Sequence, residues 1–164
     1  MHGKEQECRR NPLRLLMHIP VPWVFVLAYL VGAGLEFAFP SHTGTEPLHG
    51  VSLAGGVVFA TGATIALWGL LIFYRARTTT VPGRKSCELV TRGPYRFSRN
   101  PMYVGLVVAY LGEAGISKHA WPILFLPFIV AYLNWIVIPV EEARLTEVFG
   151  VDYEQYRARV RRWI

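Results

Sequence analysis

The sequence predicts an all-α protein of the membrane: a polytopic membrane helix bundle of about four transmembrane helices, followed by a cytoplasmic C-terminal amphipathic helix. Two observations carry this prediction. Several apolar runs approach the ~20 residues with which a helix crosses the roughly 30 Å core of a bilayer. Of the 17 Lys and Arg residues, all but Lys118 fall in three polar segments outside those runs. We expect one domain over residues 1–164.

The first part of the chain contains two predicted spans. Residues 1–20 are polar and basic, and we expect a cytoplasmic lead-in rather than a signal peptide, because the apolar run that follows is too long and lacks a small-residue cleavage site. The first span covers 21–39, and its one acid, Glu36, lies near the end, where it is expected to reach the interface. The second span covers 51–74 and is rich in small residues that let helices pack closely.

A basic cytoplasmic loop, 75–100, separates these spans from a predicted helical hairpin. The run 101–116 is apolar but short, so it either spans or turns back inside the membrane. The run 119–140 is full-length, and its prolines predict kinks whose freed carbonyl groups need partners. Four spans within 21–140 put all three basic segments on one side, which the positive-inside rule assigns to the cytoplasm. Both termini are therefore expected to be cytoplasmic.

Residues 141–164 are predicted to form a cytoplasmic tail that Gly150 divides. After that glycine, four apolar or aromatic residues at helical spacing define one helix face: Tyr153, Tyr156, Val160 and Trp163. Such a helix suits the membrane surface, and it also suits the lid of a cofactor pocket. The two interpretations are compatible.

Composition disfavours two other classes of function. The excess of 17 Lys and Arg over 11 Asp and Glu is typical of nucleic-acid binding in soluble proteins, but these cations flank apolar runs, so no nucleic-acid partner is expected. The two cysteines, Cys8 and Cys87, lack the spacing of zinc ligands, so neither a metal site nor a disulfide is expected. The lipid bilayer is the first expected partner.

One polar stretch between apolar runs, residues 89–105, reads LVTRGPYRFSRNPMYVG. It combines turn residues, three arginines and a proline that can open a helix. Backbone N–H groups, a helix N-terminus and cations at one place suit a small ligand with a carboxylate or a phosphate. The alternative is a basic loop whose arginines only orient the protein in the membrane.

Two blocks of this sequence resemble the motifs of the isoprenylcysteine carboxyl methyltransferase and phospholipid methyltransferase superfamily of integral membrane enzymes. They are Gly93-Pro94-Tyr95-Arg96 with Arg99-Asn100-Pro101-Met102-Tyr103-Val104-Gly105, and Glu141-Glu142-Ala143-Arg144-Leu145 with Phe149-Gly150-Val151-Asp152-Tyr153-Glu154-Gln155-Tyr156. They occur in the family's order around an apolar helix pair. The resemblance implies the cofactor S-adenosylmethionine and methyl transfer to a lipophilic acceptor at the cytoplasmic membrane face, most like isoprenylcysteine carboxyl O-methyltransferase.

The resemblance also implies a site. Its expected catalytic residues are Glu142, Arg99 and Asn100. Its expected cofactor contacts are Asn100, Pro101, Tyr103, Gly105, Glu141, Glu142, Leu145, Tyr153 and Tyr156. The carboxylates suit the cofactor's ammonium group, the helix start after Arg99 suits its carboxylate, and the aromatic residues suit adenine.

Two departures from the family pattern bear on the chemistry. Asn100 stands where the family has His, and an amide cannot carry a proton as a general base. The turn before the acidic pair, Asn134-Trp135-Ile136-Val137, lacks the arginine of the eukaryotic isoprenylcysteine enzymes. A carboxylate acceptor would then depend on Arg92, Arg96 or Arg99.

Other functions stay open at the level of sequence. A phospholipid amine N-methyltransferase would need a base, for which Glu142 is the best candidate. A membrane reductase with NADPH has a similar topology, and a non-enzymatic membrane scaffold would need neither cofactor.

Overall fold

A computed structural model describes residues 21–41, 49–77 and 89–164. Within these ranges the regular structure is helical. The predicted lead-in, loop residues 78–88 and both cysteines lie outside the described residues.

Six α-helices follow one another in the described part of the chain. They are α1 Val21–Ala38, α2 His49–Arg77, α3 Pro101–Ser117, α4 Trp121–Tyr132, α5 Ile138–Phe149 and α6 Val151–Arg159. A 3₁₀ turn, Gly93–Arg96, precedes α3, and a π-helical turn, Leu133–Val137, joins α4 to α5. The two spans predicted first agree with α1 and α2 within a few residues.

Three described helices are long and apolar enough to cross a membrane: Val21–Ala38, Gly50–Arg75 and Trp121–Phe149. The chain is therefore an integral membrane helix bundle. Helix α3 has 17 residues, about 25 Å of helix, which is shorter than the roughly 30 Å core of a bilayer. A fourth span stays a prediction.

The helix that contains the predicted span 119–140 continues beyond it. It covers 29 residues, Trp121–Phe149, so the acidic pair lies on its last three turns. The π-helical turn stands directly before Pro139, which has no N–H to donate to a regular helical ladder. The wider turn keeps the two halves in one helix.

The predicted amphipathic helix is also shorter than expected. Gly150 separates α5 from α6, as the sequence predicted. Its φ is 54°. Helix α6 ends at Arg159, and Val160 is extended, with φ −119° and ψ 132°. Val160 and Trp163 are therefore not on the helix face that Tyr153 and Tyr156 share, and the 160–164 segment runs back toward the bundle.

Small residues bring α2 and α3 into backbone contact. A Cβ atom added at Gly62 would lie 2.3 Å from the Ala109 nitrogen, and one added at Gly112 would lie 2.2 Å from the Phe59 nitrogen. Lipid tails are as apolar as leucine, so membrane helices associate through close packing rather than through the hydrophobic effect. The packing role predicted for the small residues of α2 is confirmed at Gly55 and Gly62, whereas a Cβ at Gly56 would meet nothing within 4 Å.

The other side of α3 meets α1 and α4 around a buried core. Its members come from four helices and the π-helical turn: Phe25, Tyr103, Tyr110, Ile129, Leu133, Val137 and Ile138. Tyr110 also donates a hydrogen bond to the Pro122 carbonyl at 2.9 Å, which ties α3 to the start of α4. This core joins Tyr103, in the first turn of α3, to residues in the middle of the Trp121–Phe149 helix.

Glu36, which was expected to reach the interface, is buried within the bundle near the end of α1, with 3% of its surface exposed. Its carboxylate accepts hydrogen bonds from the backbone nitrogen and the hydroxyl of Ser41, both at 2.7 Å. It also accepts from the backbone nitrogens of Ala120 at 3.2 Å and Trp121 at 3.5 Å. The acid therefore caps the first turn of α4, where a negative charge is favourable, and ties it to the end of α1.

Substituting Gly112→Ala should destabilise the bundle by about 1–3 kcal/mol, because the new methyl group collides with backbone atoms that cannot move independently. Gly56→Ala is the matched control, since a Cβ at Gly56 meets nothing within 4 Å. Thermal unfolding of the purified protein in detergent measures both. Equal unfolding temperatures for the two variants would show that α2 and α3 do not pack as described.

Substituting Glu36→Ala should cost about 1–3 kcal/mol or more, because the donors of Ser41 and of the first turn of α4 lose their acceptor. Glu36→Gln keeps one acceptor oxygen and should lose less. The readout is hydrogen exchange of the Ala120 and Trp121 amides, which should quicken in the Ala variant. Unchanged exchange there would contradict the capping role.

Candidate functional site

The arginine-rich stretch is fixed by a 3₁₀ turn between α2 and α6. The Tyr95 hydroxyl donates to the Gly69 carbonyl of α2 at 3.5 Å, and the Tyr95 carbonyl accepts from the Tyr156 hydroxyl of α6 at 2.7 Å. Gly93 opens the turn with a φ of 64°, and a Cβ there would lie 2.3 Å from the Ile72 side chain. Only glycine satisfies both conditions without strain.

Glu142 of α5 is buried, and both of its carboxylate oxygens face guanidinium groups. Arg99 Nη1 lies 2.9 Å from Oε1, an ion-pair contact without hydrogen-bond geometry. Arg162 donates from Nη2 to Oε2 at 2.7 Å and from Nε to Oε1 at 3.2 Å. Since Arg99 precedes α3 and Arg162 follows α6, one carboxylate connects three separate segments.

The neighbouring acid, Glu141, contacts the start of α3. The Tyr103 hydroxyl donates to Glu141 Oε1 at 2.7 Å. This bond joins the arginine-containing block of the sequence to the acidic block. The two blocks, distant in sequence, therefore meet at one end of the bundle.

Asn100 stands at the N-terminus of α3 but does not cap it with its side chain. Its amide nitrogen instead donates to the Arg162 carbonyl at 3.0 Å. The Ser98 hydroxyl donates to the same carbonyl at 3.3 Å, and the Arg99 backbone nitrogen donates to the Arg161 carbonyl at 2.9 Å. The 160–164 segment is thus fixed beside the arginine turn.

The remaining predicted residues fall into different surroundings. Pro101 is buried at the start of α3, and Leu145 is half-buried on α5. Gly105 faces α2, because a Cβ there would lie 2.5 Å from the Ala66 nitrogen, which gives this glycine a packing reason. Of the three arginines in the stretch 89–105, Arg99 is turned inward and the other two are exposed.

The two tyrosines of α6 are buried, with 1% of Tyr153 and 8% of Tyr156 exposed, and their ring centroids lie 6.1 Å apart. Burial raises the pKa of both hydroxyls. Burial, with the negative charge of Glu141, also raises the pKa of Tyr95 to about 12. All three hydroxyls are therefore protonated near neutral pH.

Three buried donor atoms of this site have no hydrogen-bond partner within the described ranges: Arg99 Nε, Arg99 Nη1 and the Tyr153 hydroxyl oxygen. Unsatisfied buried donors are rare in folded proteins and call for an explanation. Together with the Tyr103–Glu141 pair, they give one face of the bundle a carboxylate for a cation and a guanidinium for an anion. No metal-ligand cluster of His, Cys, Asp or Glu occurs in the part of the chain described.

Sequence reasoning missed three residues of the site: Asn134, Arg162 and Trp163. Arg162 Nη1 and Trp163 Nε1 both donate to Asn134 Oδ1, at 3.3 and 3.2 Å. Arg162 belongs to a charge run that also contains Arg157, Arg159 and Arg161. No spacing rule distinguishes one member of such a run from its neighbours.

Comparison with known proteins identifies similar chains. The model of the phospholipid methyltransferase family matches residues 51–152. The chain is 30% identical over 112 residues to methanethiol S-methyltransferase 1 of Bradyrhizobium diazoefficiens, covering 67% of this chain and 38% of the relative. It is 36% identical over 72 residues to protein-S-isoprenylcysteine O-methyltransferase of Schizosaccharomyces pombe, covering 44% of this chain and 30% of the relative.

A third relative, the nickel-cobalt-cadmium resistance protein NccN of Alcaligenes xylosoxydans xylosoxydans, is 32% identical over 108 residues, covering 65% of this chain and 46% of the relative. The chain spans less than half the length of each of these three relatives. The family match runs from α2 to the start of α6 and covers more than half of the chain, including the arginine turn and the acidic pair. It confirms the superfamily that the two sequence blocks predicted, and the chain belongs to the phospholipid methyltransferase family of membrane enzymes.

Proposed function

We propose that this chain transfers a methyl group from S-adenosylmethionine to a lipophilic acceptor at the cytoplasmic membrane face, in a reaction most like isoprenylcysteine carboxyl O-methylation. The observation that carries the proposal is the 2.7 Å bond between Tyr103 and Glu141, with the Arg99–Glu142 ion pair beside it. These contacts bring together the two sequence blocks from which a methyltransferase site was expected. Membership of the family supports methyl transfer itself.

The side chains at this face fit the charged end of S-adenosylmethionine. An ammonium group needs a carboxylate, which Glu141 supplies with the Tyr103 hydroxyl beside it. A carboxylate needs a cation. Although burial raises the pKa of the Tyr153 hydroxyl, the buried guanidinium of Arg99 lies close enough to lower that pKa in part, which places a cation beside the aromatic residues of α6. Leu145, Tyr153 and Tyr156 would line the part of the site that binds the nucleoside of the cofactor.

The side chains of this site hold and align the reactants rather than move protons. Bound S-adenosylmethionine supplies an electrophilic methyl group on sulfur, and alignment with exclusion of water supplies most of the rate of such a displacement. The hydroxyls of Tyr95, Tyr153 and Tyr156 are donors near neutral pH, because burial raises the pKa of each. None of these three is a base at that pH.

Glu142 was the base expected for an amine acceptor, but its oxygens already face Arg99 and Arg162. We assign it instead the role of a positioning residue that orients both guanidinium groups. An acceptor that is ionised at neutral pH, such as a carboxylate, needs no base. The geometry therefore favours O-methylation of a carboxylate over N-methylation of a phospholipid amine.

The proposed topology places this end of the bundle in the cytoplasm. Helix α3 would complete four spans, and the arginines that precede it and follow α5 would then share one side. The cofactor would enter from the cytosol and the lipophilic acceptor from the bilayer.

Substituting Glu141→Gln should weaken binding of S-adenosylhomocysteine by roughly 10- to 100-fold, because a charge-assisted hydrogen bond to the ammonium group is worth about 1.5–3 kcal/mol. Glu147→Gln is the matched control, since Glu147 is an exposed acid on the same helix. Isothermal titration of purified protein in nanodiscs measures the dissociation constants. Equal affinities for the two variants would contradict the cofactor site, and binding of NADPH instead would favour a reductase.

Purified protein should transfer radiolabelled methyl groups from S-adenosylmethionine into a membrane lipid extract or a prenylated cysteine. The reason is that the proposed site faces both the cytosol and the bilayer. Scintillation counting of the organic phase measures the product, and protein carrying Glu141→Gln provides the control. Transfer confined to water-soluble acceptors would contradict a lipophilic substrate, and no transfer by either protein would favour a scaffold.

A further inference from the structure

The backbone carbonyl of Asn134 loses its helical donors at the π-helical turn. In a regular helix it would accept from Ile138, and in a π-helical turn from Pro139. The Ile138 nitrogen instead donates to the Leu133 carbonyl, five residues earlier. Pro139 has no N–H to donate. A carbonyl freed in this way inside a membrane helix needs a partner from elsewhere in the protein.

Arg162 supplies that partner. Its Nη1 donates to the Asn134 carbonyl at 3.5 Å and to Asn134 Oδ1 at 3.3 Å. Trp163 Nε1 donates to the same side-chain oxygen at 3.2 Å. Both groups can only donate, so the oxygen of the amide is the atom that faces them. The 160–164 segment is thus tied to the turn that Pro139 imposes on the helix.

The same guanidinium also reaches Glu142, about two turns further along that helix. Arg162 Nη2 and Nε donate to the Glu142 carboxylate at 2.7 and 3.2 Å. The backbone of Arg162 is fixed as well, because its carbonyl accepts from Ser98 and Asn100. One planar group therefore connects the π-helical turn to the acidic pair.

The π-helical turn places Asn134 and Glu142 on one face of the helix. A regular helix advances by about 100° per residue, so residues seven apart differ in direction by about 20° and residues eight apart by about 80°. A π-helical turn holds roughly one residue more than a regular turn, and such turns occur frequently at functional sites. Asn134 and Glu142 are eight residues apart across this turn, so they are oriented like residues seven apart in a regular helix.

The same register directs Glu141 to a different side of the helix. Across the turn, Glu141 is oriented like a residue six positions after Asn134, about 120° away from it. There it accepts a hydrogen bond from the Tyr103 hydroxyl at 2.7 Å. In a regular helix Glu141, rather than Glu142, would share the face of Asn134. The π-helical turn therefore decides which acid meets the guanidinium groups and which meets Tyr103.

We propose that Arg162 is a positioning residue that fixes this helix register. It holds the π-helical turn through Asn134 and pairs with Glu142, so that Glu141 is directed toward the methyl donor. This role goes beyond the proposed function, and only its effect on cofactor binding rests on that function. Arg162 acts through Glu142 and not by contact with either reactant. The two guanidinium groups beside the acidic pair balance its two carboxylates, so no excess charge is involved.

The first measurement needs no cofactor. In purified protein in nanodiscs, Arg162→Gln should quicken hydrogen exchange of the Ile138 amide by about 10-fold or more, because the π-helical turn loses the donor to its free carbonyl. Asn134→Ala should quicken the same exchange. Arg161→Gln, an equal loss of charge at an exposed neighbour, should leave it unchanged. Equal exchange in the Arg161 and Arg162 variants would overturn the proposal.

The second measurement compares dissociation constants for S-adenosylhomocysteine. Arg162→Gln should weaken binding by about 5- to 20-fold, and Asn134→Ala, which removes no charge, should weaken it in the same direction. In protein that already carries Glu141→Gln, Arg162→Gln should add little, because the acid that it positions is lost. Fully additive effects, or full affinity of the Asn134→Ala variant, would contradict a role through the helix register.

Arg162→Lys guards against a Gln variant that does not fold. It keeps a charge beside Glu142, but one ammonium group cannot replace the planar fork that also reaches Asn134. This variant should unfold at the wild-type temperature and still bind S-adenosylhomocysteine about 3- to 10-fold more weakly. Full affinity would count against the proposal. Wild-type protein that shows the exchange effect but does not bind S-adenosylhomocysteine would contradict the proposed function and retain the register role.

Discussion

The ion-paired carboxylate of Glu142 is the interaction on which the arrangement of the site depends. It lies between Arg99 and Arg162, which come from segments on either side of the helix that carries it. A buried charge left without any partner typically costs about 3–5 kcal/mol, so the position of Glu142 depends on having at least one of these arginines beside it. The neighbouring bonds of Tyr103 to Glu141 and of Asn100 to the Arg162 carbonyl follow from that alignment.

Both ends of the bundle use a buried carboxylate, although in different ways. At one end Glu36 accepts hydrogen bonds from Ser41 and from the first turn of α4, and so acts as a helix cap. At the other end Glu142 forms ion pairs with Arg99 and Arg162. Between the two ends of the bundle, glycines allow α2 and α3 to approach closely. In lipid, close packing rather than the hydrophobic effect stabilises the association of helices.

In the structure Glu141 and Glu142 have different partners, although the sequence motif assigned both acids to the cofactor. Glu141 accepts a hydrogen bond from the Tyr103 hydroxyl, and we assign it to the cationic group of the methyl donor. Glu142 orients guanidinium groups, which suits anionic ligand groups. A methyl transfer that joins a cationic donor to an anionic acceptor needs both kinds of group close together and protected from water.

The sequence by itself determined the helical membrane bundle, the first two spans within a few residues, the break at Gly150 and the superfamily. Each of these depends on local composition, hydrophobic run length or a short motif, which are properties of neighbouring residues. The tertiary structure alone decided that Glu36 is buried, that the last long helix continues through Pro139, and that the chain turns back after Arg159. It also selected Arg162 from a run of similar arginines. These outcomes depend on contacts between residues far apart in sequence, where the position of one partner is set by the packing of the whole bundle.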